Sequence, residues 1–218
     1  PSFVMEGGSI TTDGEGTLIA TEACFLSKCR NPSMSKAEIE ETLKVYLGVN
    51  DIIWIPHGII GDETDEHVDN MVTFSRPGEV LLAWPSTADK VQYVAATKAL
   101  KILESTKDAK GRPIKVIKVK MPNPIYLSKE EARGIYSKGH YGAKPRKAGT
   151  NLLATYINFY QSDRFVILPS FGVKEDTIVL KQFKEIFPEK EIIQIPSKEI
   201  LIGGGNIHCV TMQIPRGR

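Results

Sequence analysis

Apolar and β-branched runs, broken by turn residues, recur along the chain and alternate with segments of helical period. Three stretches, Glu6–Thr21 (EGGSITTDGEGTLIAT), His67–Trp84 and Asn151–Ser170, each hold one such run, a turn marked by DGEG, RPGE or QSD, and a second run. That is the composition of a β-hairpin. A helical pattern follows each hairpin. After the first, Ser35 and Glu38 form a capping box, Ile39, Leu43 and Leu47 repeat at helical spacing, and Gly48 closes the helix. The second helix is expected over Thr87–Leu103, and the third over Asp176–Phe187, where Pro188 stops it. A short strand comes next in each case: DIIWIP, PIKVIKV and EIIQIP.

The pattern predicts an α/β fold built of a strand–strand–helix–strand unit used three times. A fourth copy, Asn206–Pro215 (NIHCVTMQIP), stops after its first strand. Repeats of this size bury their cores against one another. An unfinished unit leaves a strand edge in want of a partner. The expectation is therefore one catalytic domain over residues 1–218, the C-terminal portion of a ring whose N-terminal units are absent. The segment from Met121 to Ala148, rich in proline, glycine and basic residues, fits no unit and is expected as a long insertion loop.

With 218 residues and 41% hydrophobic content the chain can bury a sizeable core. A formal charge of +2 gives no reason to expect nucleic acid or an anionic membrane as partner. The longest apolar runs fall short of a membrane span. Three cysteines without a repeating spacing make neither a disulfide framework nor a zinc knuckle, which suggests a reducing, cytoplasmic setting.

The polar residues fall where the repeats begin. Glu6 opens the first hairpin, His67 and Asp69 the second, and Asn206, His208 and Cys209 the fourth copy, behind Gly203, Gly204 and Gly205. On a strand His67 and Asp69 would face the same side, and units related by rotation would bring these strand ends to a common centre. Singly each has a plain structural role: a core histidine, a buried small thiol, a surface carboxylate. Together they supply a nucleophile, a base and two carboxylates. There is no GxSxG elbow, no phosphate loop and no GxGxxG after a strand. His57, His140 and His208 have no metal-type spacing with His67. Cysteine with histidine favours thiolate attack on an electrophilic carbon, and paired carboxylates suit a planar guanidinium. The acidic stretch Asp62, Glu63, Asp65 and Glu66 is either a solvated turn or a cradle for a second positive group on the substrate.

EGGSI, DEHVDN, AKPRKAGTNLLATYINFY and GGGNIHCVTMQIP resemble the agmatine deiminases of the guanidine-modifying superfamily, and the similarity runs along essentially the whole chain. The resemblance implies a pseudo-five-fold α/β propeller of ββαβ units and the conversion of agmatine to N-carbamoylputrescine and ammonia, in putrescine and polyamine biosynthesis. It implies Cys209 as nucleophile, His67 as general acid and base, Asp69 on the guanidinium nitrogens, and Glu6 on the guanidinium and on His67. Ion pairing with the bound cation would favour the thiolate. Glu63 would bind the second charge, and Gly203, Gly204 and Gly205 would let backbone approach substrate. It implies no metal or organic cofactor, and homodimers are common among such relatives. Asn151 and Asn158 are further candidates near the site, while Cys24 and Cys29 are expected to be structural.

The chain departs from the family pattern at Glu66, where a small residue is usual, and at Met212, where glutamine is common. A further substrate aspartate, in a Trp-x-Arg-Asp motif of the family, would lie upstream of Pro1. Loss of that carboxylate would cost on the order of 2–5 kcal/mol of substrate binding, so an N-terminal segment or a neighbouring chain is the expected partner. Two alternatives stand beside the leading one: a peptidyl-arginine deiminase, and a truncated non-catalytic binding subunit.

Overall fold

The first hairpin turns on its own side chains. Asp13 Oδ1 accepts from the amides of Glu15 at 2.8 Å and Thr17 at 2.9 Å, and Gly14 and Gly16 take φ of 73° and 105°. This Asx-type turn joins β1 (Ile10–Thr12) to its antiparallel partner β2 (Thr17–Thr21). Helix α1 (Glu22–Phe25) follows directly, then α2 (Lys36–Leu47). The latter opens on the expected Ser35–Glu38 capping box and ends at Gly48 with φ 66°. The helical crossover lets β3 (Asp51–Ile55) lie parallel to β2. The computed structural model describes residues 3–135 and 146–214; Pro1, Pro215 and the stretch 136–145 of the expected insertion loop, with His140, lie outside them.

The same order returns twice. β4 (Val72–Arg76) pairs antiparallel with β5 (Glu79–Trp84), α3 (Lys90–Ser105) crosses over, and β6 (Lys115–Lys120) runs parallel to β5. β7 (Tyr160–Gln161) pairs antiparallel with β8 (Phe165–Ser170), α5 (Lys174–Ile186) crosses over, and β9 (Glu191–Pro196) runs parallel to β8. The described residues thus hold three separate three-stranded sheets in a mixed α/β fold. They also hold α4 (Lys129–Gly134), where the sequence suggested only loop, and α6 (Lys198–Gly203). Among them no helix is long and apolar enough to cross a membrane.

Two strand expectations are corrected. The opening run of the third hairpin is ladder only at Tyr160–Gln161, because the residues before it fold on themselves. Leu153 has φ 48°, its amide bonds to Asn151 Oδ1, and the Ile157 amide bonds to Thr155 Oγ1. The fourth copy is no strand in the described residues. His208–Val210 forms a 3-10 turn, closed by the Thr211 amide and hydroxyl on the His208 carbonyl at 3.1 and 2.9 Å. An isolated extended segment has no ladder to satisfy its backbone, and this turn satisfies part of it locally.

The chain divides into two compact units, Pro1–Met121 with Thr155–Asn158, and Pro122–Ala154 with Phe159–Arg218. In the first, Leu18, Ala20, Phe25, Ile39, Leu43 and Val49 form a buried cluster, with Phe3, Ile10, Met34, Ile52 and Trp54 packed against it. Phe25 stacks on Phe3 at 6.2 Å and meets Trp54 edge-on at 5.8 Å. In the second, Phe159, Phe183 and Phe187 pack ring against ring at 5.1–6.0 Å. Phe25→Ala empties the middle of the first cluster and is expected to cost about 3–5 kcal/mol, read as a lowered denaturant midpoint.

Candidate active site

Glu6, His67 and Asp69 come together in the first unit, on turns that precede the strands and not on the strands themselves. Glu6 is extended and caps a short 3-10 helix, Gly7–Ser9, and its carbonyl accepts from the Ser9 amide and hydroxyl. His67 stands before a matching 3-10 turn, Val68–Asn70. The expectation of a strand-borne His-x-Asp pair is corrected: a helical turn brings the two side chains to one side. The imidazole Nε2 lies 3.3 Å from Glu6 Oε2. A carboxylate can only accept, so this nitrogen carries the proton of that bond. His67 and Asp69 are buried, at 6% and 3% exposure. A Cβ on Gly8 would stand 2.6 Å from His67 Nδ1 and 2.7 Å from Asp69 Oδ2. Glycine is therefore what allows both side chains to close over this backbone.

Arg30, which the sequence reading missed, and Cys24, expected only as a structural cysteine, share the neighbourhood. Arg30 Nε donates to Glu6 Oε2 at 2.7 Å and Oε1 at 3.0 Å. Burial alone would raise the Glu6 carboxyl; the hydrogen bond and charge of Arg30, with those of His67, outweigh it and hold the group below its ordinary value. Cys24 is fully buried. Burial pushes its thiol up to about 12, against the opposing pull of Arg30. Donor atoms of Glu6, Cys24 and His67 lie within 4.8 Å of one another, a spacing that a metal ion could bridge. The donor set fits a metal poorly: Arg30 and His67 already engage the carboxylate, and the raised thiol resists becoming the thiolate a metal needs. Cys29 is exposed.

The acidic turn is largely engaged by its own chain. Asp62 accepts from Thr64 and from Asn70 Nδ2, Asp65 accepts from Arg30 and Ser27, and Glu66 pairs with His57 at 2.9 Å. Glu63 is exposed on this turn. Asp65 and Glu66 both take positive φ, 56° and 66°, uncommon for residues with a Cβ. Asn158, buried, donates to Asn70 Oδ1 at 3.0 Å, and the Thr155 hydroxyl donates to the Asn70 carbonyl. Asn158 thus braces the His67 turn from behind.

Cys209, Gly203, Gly204, Gly205 and Asn151 belong to the second unit. Cys209 is exposed within the His208–Val210 turn. A Cβ on Gly205 would lie 2.9 Å from Cys209 Cβ and 3.5 Å from its sulfur, so this glycine makes room for the cysteine itself. Gly204 ends α6 with φ 105°. A Cβ there would meet an Arg146 Nη at 2.8 Å; that guanidinium caps the helix through the Leu201 and Ile202 carbonyls. A Cβ on Gly203 would meet nothing within 4 Å. Asn151 holds the turn at Leu153 and bridges to Tyr126. Asn206 is buried, and Met212 is exposed.

The model of a family described as Porphyromonas-type peptidyl-arginine deiminase matches residues 1–215. An agmatine deiminase of Pseudomonas aeruginosa (strain LESB58) is 48% identical over 216 residues, 99% of this chain and 58% of that protein. One from Medicago truncatula is 48% identical over 217 residues, covering 98% and 58%. The solved structure of the Enterococcus faecalis agmatine deiminase superposes with a TM-score of 0.90 at 38% identity, over 99% of this chain and 58% of that one. The chain therefore spans less than two thirds of the length of these relatives.

Proposed function

The chain belongs to the Porphyromonas-type peptidyl-arginine deiminase family, and from that premise we propose that it forms part of an enzyme that hydrolyses agmatine to N-carbamoylputrescine and ammonia, in putrescine and polyamine biosynthesis. The observation that carries this is the closure of Glu6, His67 and Asp69 over Gly8, in a chain whose relatives are agmatine deiminases.

In this proposal Asp69 and Glu6 grip the planar guanidinium, and Glu63 faces the second cation. The Cys209 thiolate attacks the guanidinium carbon. As the C–N bond breaks, His67 gives its proton to the departing nitrogen, which leaves as ammonia, and an S-amidino-cysteine remains. His67 then takes a proton from water. The hydroxide adds to the same carbon, its remaining proton passes to solvent as the C=O forms and the C–S bond breaks, and the thiolate returns as N-carbamoylputrescine leaves. Glu6 accepts at Nε2 and so holds the imidazole in place for both proton transfers. No cofactor enters the proposed scheme.

The three strand–strand–helix–strand units support a place in a pseudo-five-fold propeller, as one cytoplasmic catalytic domain. The remaining units come from an N-terminal segment or a neighbouring chain, and the assembly is a homodimer. The test is product formation from agmatine by this chain alone, and after the part of the Pseudomonas relative outside the match is supplied. Ammonia and N-carbamoylputrescine in equal amounts are expected in the second case. Release of ammonia from an arginine peptide but not from agmatine would replace agmatine by peptidyl-arginine. No product in either form would leave a binding subunit.

A further inference from the structure

We propose that Arg30 is a positioning residue of the site: its guanidinium fixes Glu6 toward His67 and fastens the acidic turn that leads into His67 to that same carboxylate. The proposal rests on the function proposed above for its kinetic consequences, though not for its geometry.

The Arg30 side chain is only 8% exposed, and all three of its nitrogens are used. Nε serves both oxygens of Glu6, one Nη reaches Asp65 Oδ2 at 2.7 Å, and the other reaches the Thr64 carbonyl at 2.7 Å. One rigid cation thus joins two segments that are distant in sequence and flank the imidazole. A lysine, with a single flexible ammonium, could hold one of these acceptors well but not all of them in the same plane.

The turn needs such a hold. Asp65 and Glu66 sit consecutively at positive φ, and such backbone persists only where the surroundings over-determine it. Arg30 grips it at Thr64 and Asp65, the Thr21 hydroxyl donates to the Glu66 carbonyl at 2.8 Å, and His57 takes the Glu66 carboxylate. Below it, a Cβ on Gly58 would stand 2.5 Å from the Glu66 carbonyl oxygen. His67 is the next residue, so the path of this turn sets where the imidazole begins.

The arrangement also sets a charge. Arg30, His67 and Cys24 stand at the Glu6 carboxylate, Asp65 shares the Arg30 guanidinium, the charges of Asp65 and Asp62 act on Cys24, and Asp69 lies across Gly8. Without Arg30 the carboxyl loses its main lowering partner and takes up a proton at higher pH. Activity that requires ionised Glu6 then fails at higher pH, so the acidic limb of the rate profile moves upward.

Arg30→Gln and Arg30→Lys in the complete enzyme decide the matter. For Arg30→Gln, kcat is expected to fall on the order of 10²-fold with the agmatine KM within about threefold, and the acidic limb of kcat to move to higher pH. Arg30→Lys should keep the limb near its place and recover little of kcat. A second readout needs no turnover: in ¹⁵N-histidine-labelled protein, the hydrogen-bonded Nε2 proton of His67 should be visible in the wild type and lost in both Glu6→Gln and Arg30→Gln. If Arg30→Gln keeps that proton and the limb stays fixed while only the melting temperature drops, Arg30 is a fold residue and the proposal is overturned. If the wild type never consumes agmatine, the function proposed above fails, and the Nε2 proton still judges Arg30.

Discussion

Cys209→Ser is expected to abolish turnover, by on the order of 10⁴–10⁶ in kcat, while agmatine still binds. Serine fits the space of cysteine beside Gly205, so the turn should fold unchanged. What is lost is the nucleophile's state. A thiol ionises far more readily than an aliphatic hydroxyl and its thiolate is the stronger nucleophile, so serine cannot take over the attack. Alkylation gives an independent check on the same residue. Cys209 and Cys29 are exposed, and Cys24 is buried with its thiol pushed up to about 12. Iodoacetamide should therefore label two cysteines, and in a Cys29→Ser background the loss of activity should follow one label. Turnover surviving in Cys209→Ser would remove the covalent route.

Much of this molecule can be read from one strand of text, and the exceptions share a cause. The hairpin–helix–strand order was legible because each signal is local. Asp13 makes its turn within four residues, Ser35 finds Glu38 within three, and Gly48 closes the same helix. The strand assignments for His67, Asp69 and Cys209 were wrong because short polar stretches before a ladder can satisfy their backbone in a 3-10 turn. Sequence period carries no sign of that choice. Arg30 was passed over for another reason: its importance lies in its bond to Glu6, 24 positions away. A basic residue amid Lys28, Cys29, Asn31 and Pro32 has the composition of a surface loop. The acidic turn was open to two readings, a solvated turn or a cradle for an outside cation; the cation on Asp65 is the chain's own Arg30, and Glu63 stays exposed on that turn.

Gly8→Ala is expected to lower kcat on the order of 10²-fold in protein that still folds, while Gly7→Ala leaves both activity and stability close to wild type. The two glycines are neighbours in EGG, and sequence offers no way to rank them. The structure does. A Cβ on Gly7 meets nothing within 4 Å, while on Gly8 it would press against His67 Nδ1 at 2.6 Å and Asp69 Oδ2 at 2.7 Å. Neither side chain has slack, since His67 is tied through Nε2 to Glu6 and both residues are buried. The methyl must displace the imidazole, the carboxylate or the backbone bearing Glu6, and any of these misaligns proton transfer or the guanidinium grip. Steady-state kinetics with a melting curve for each variant separates the cases. The Gly8→Ala protein should melt within a few degrees of wild type, because the strain falls on the Gly7–Ser9 and Val68–Asn70 turns and leaves the Leu18–Phe25–Ile39 cluster intact. Gly8→Ala with kcat within threefold of wild type would show that this closure is not what the chemistry uses. The two carboxylates and the histidine would then owe their proximity to packing alone.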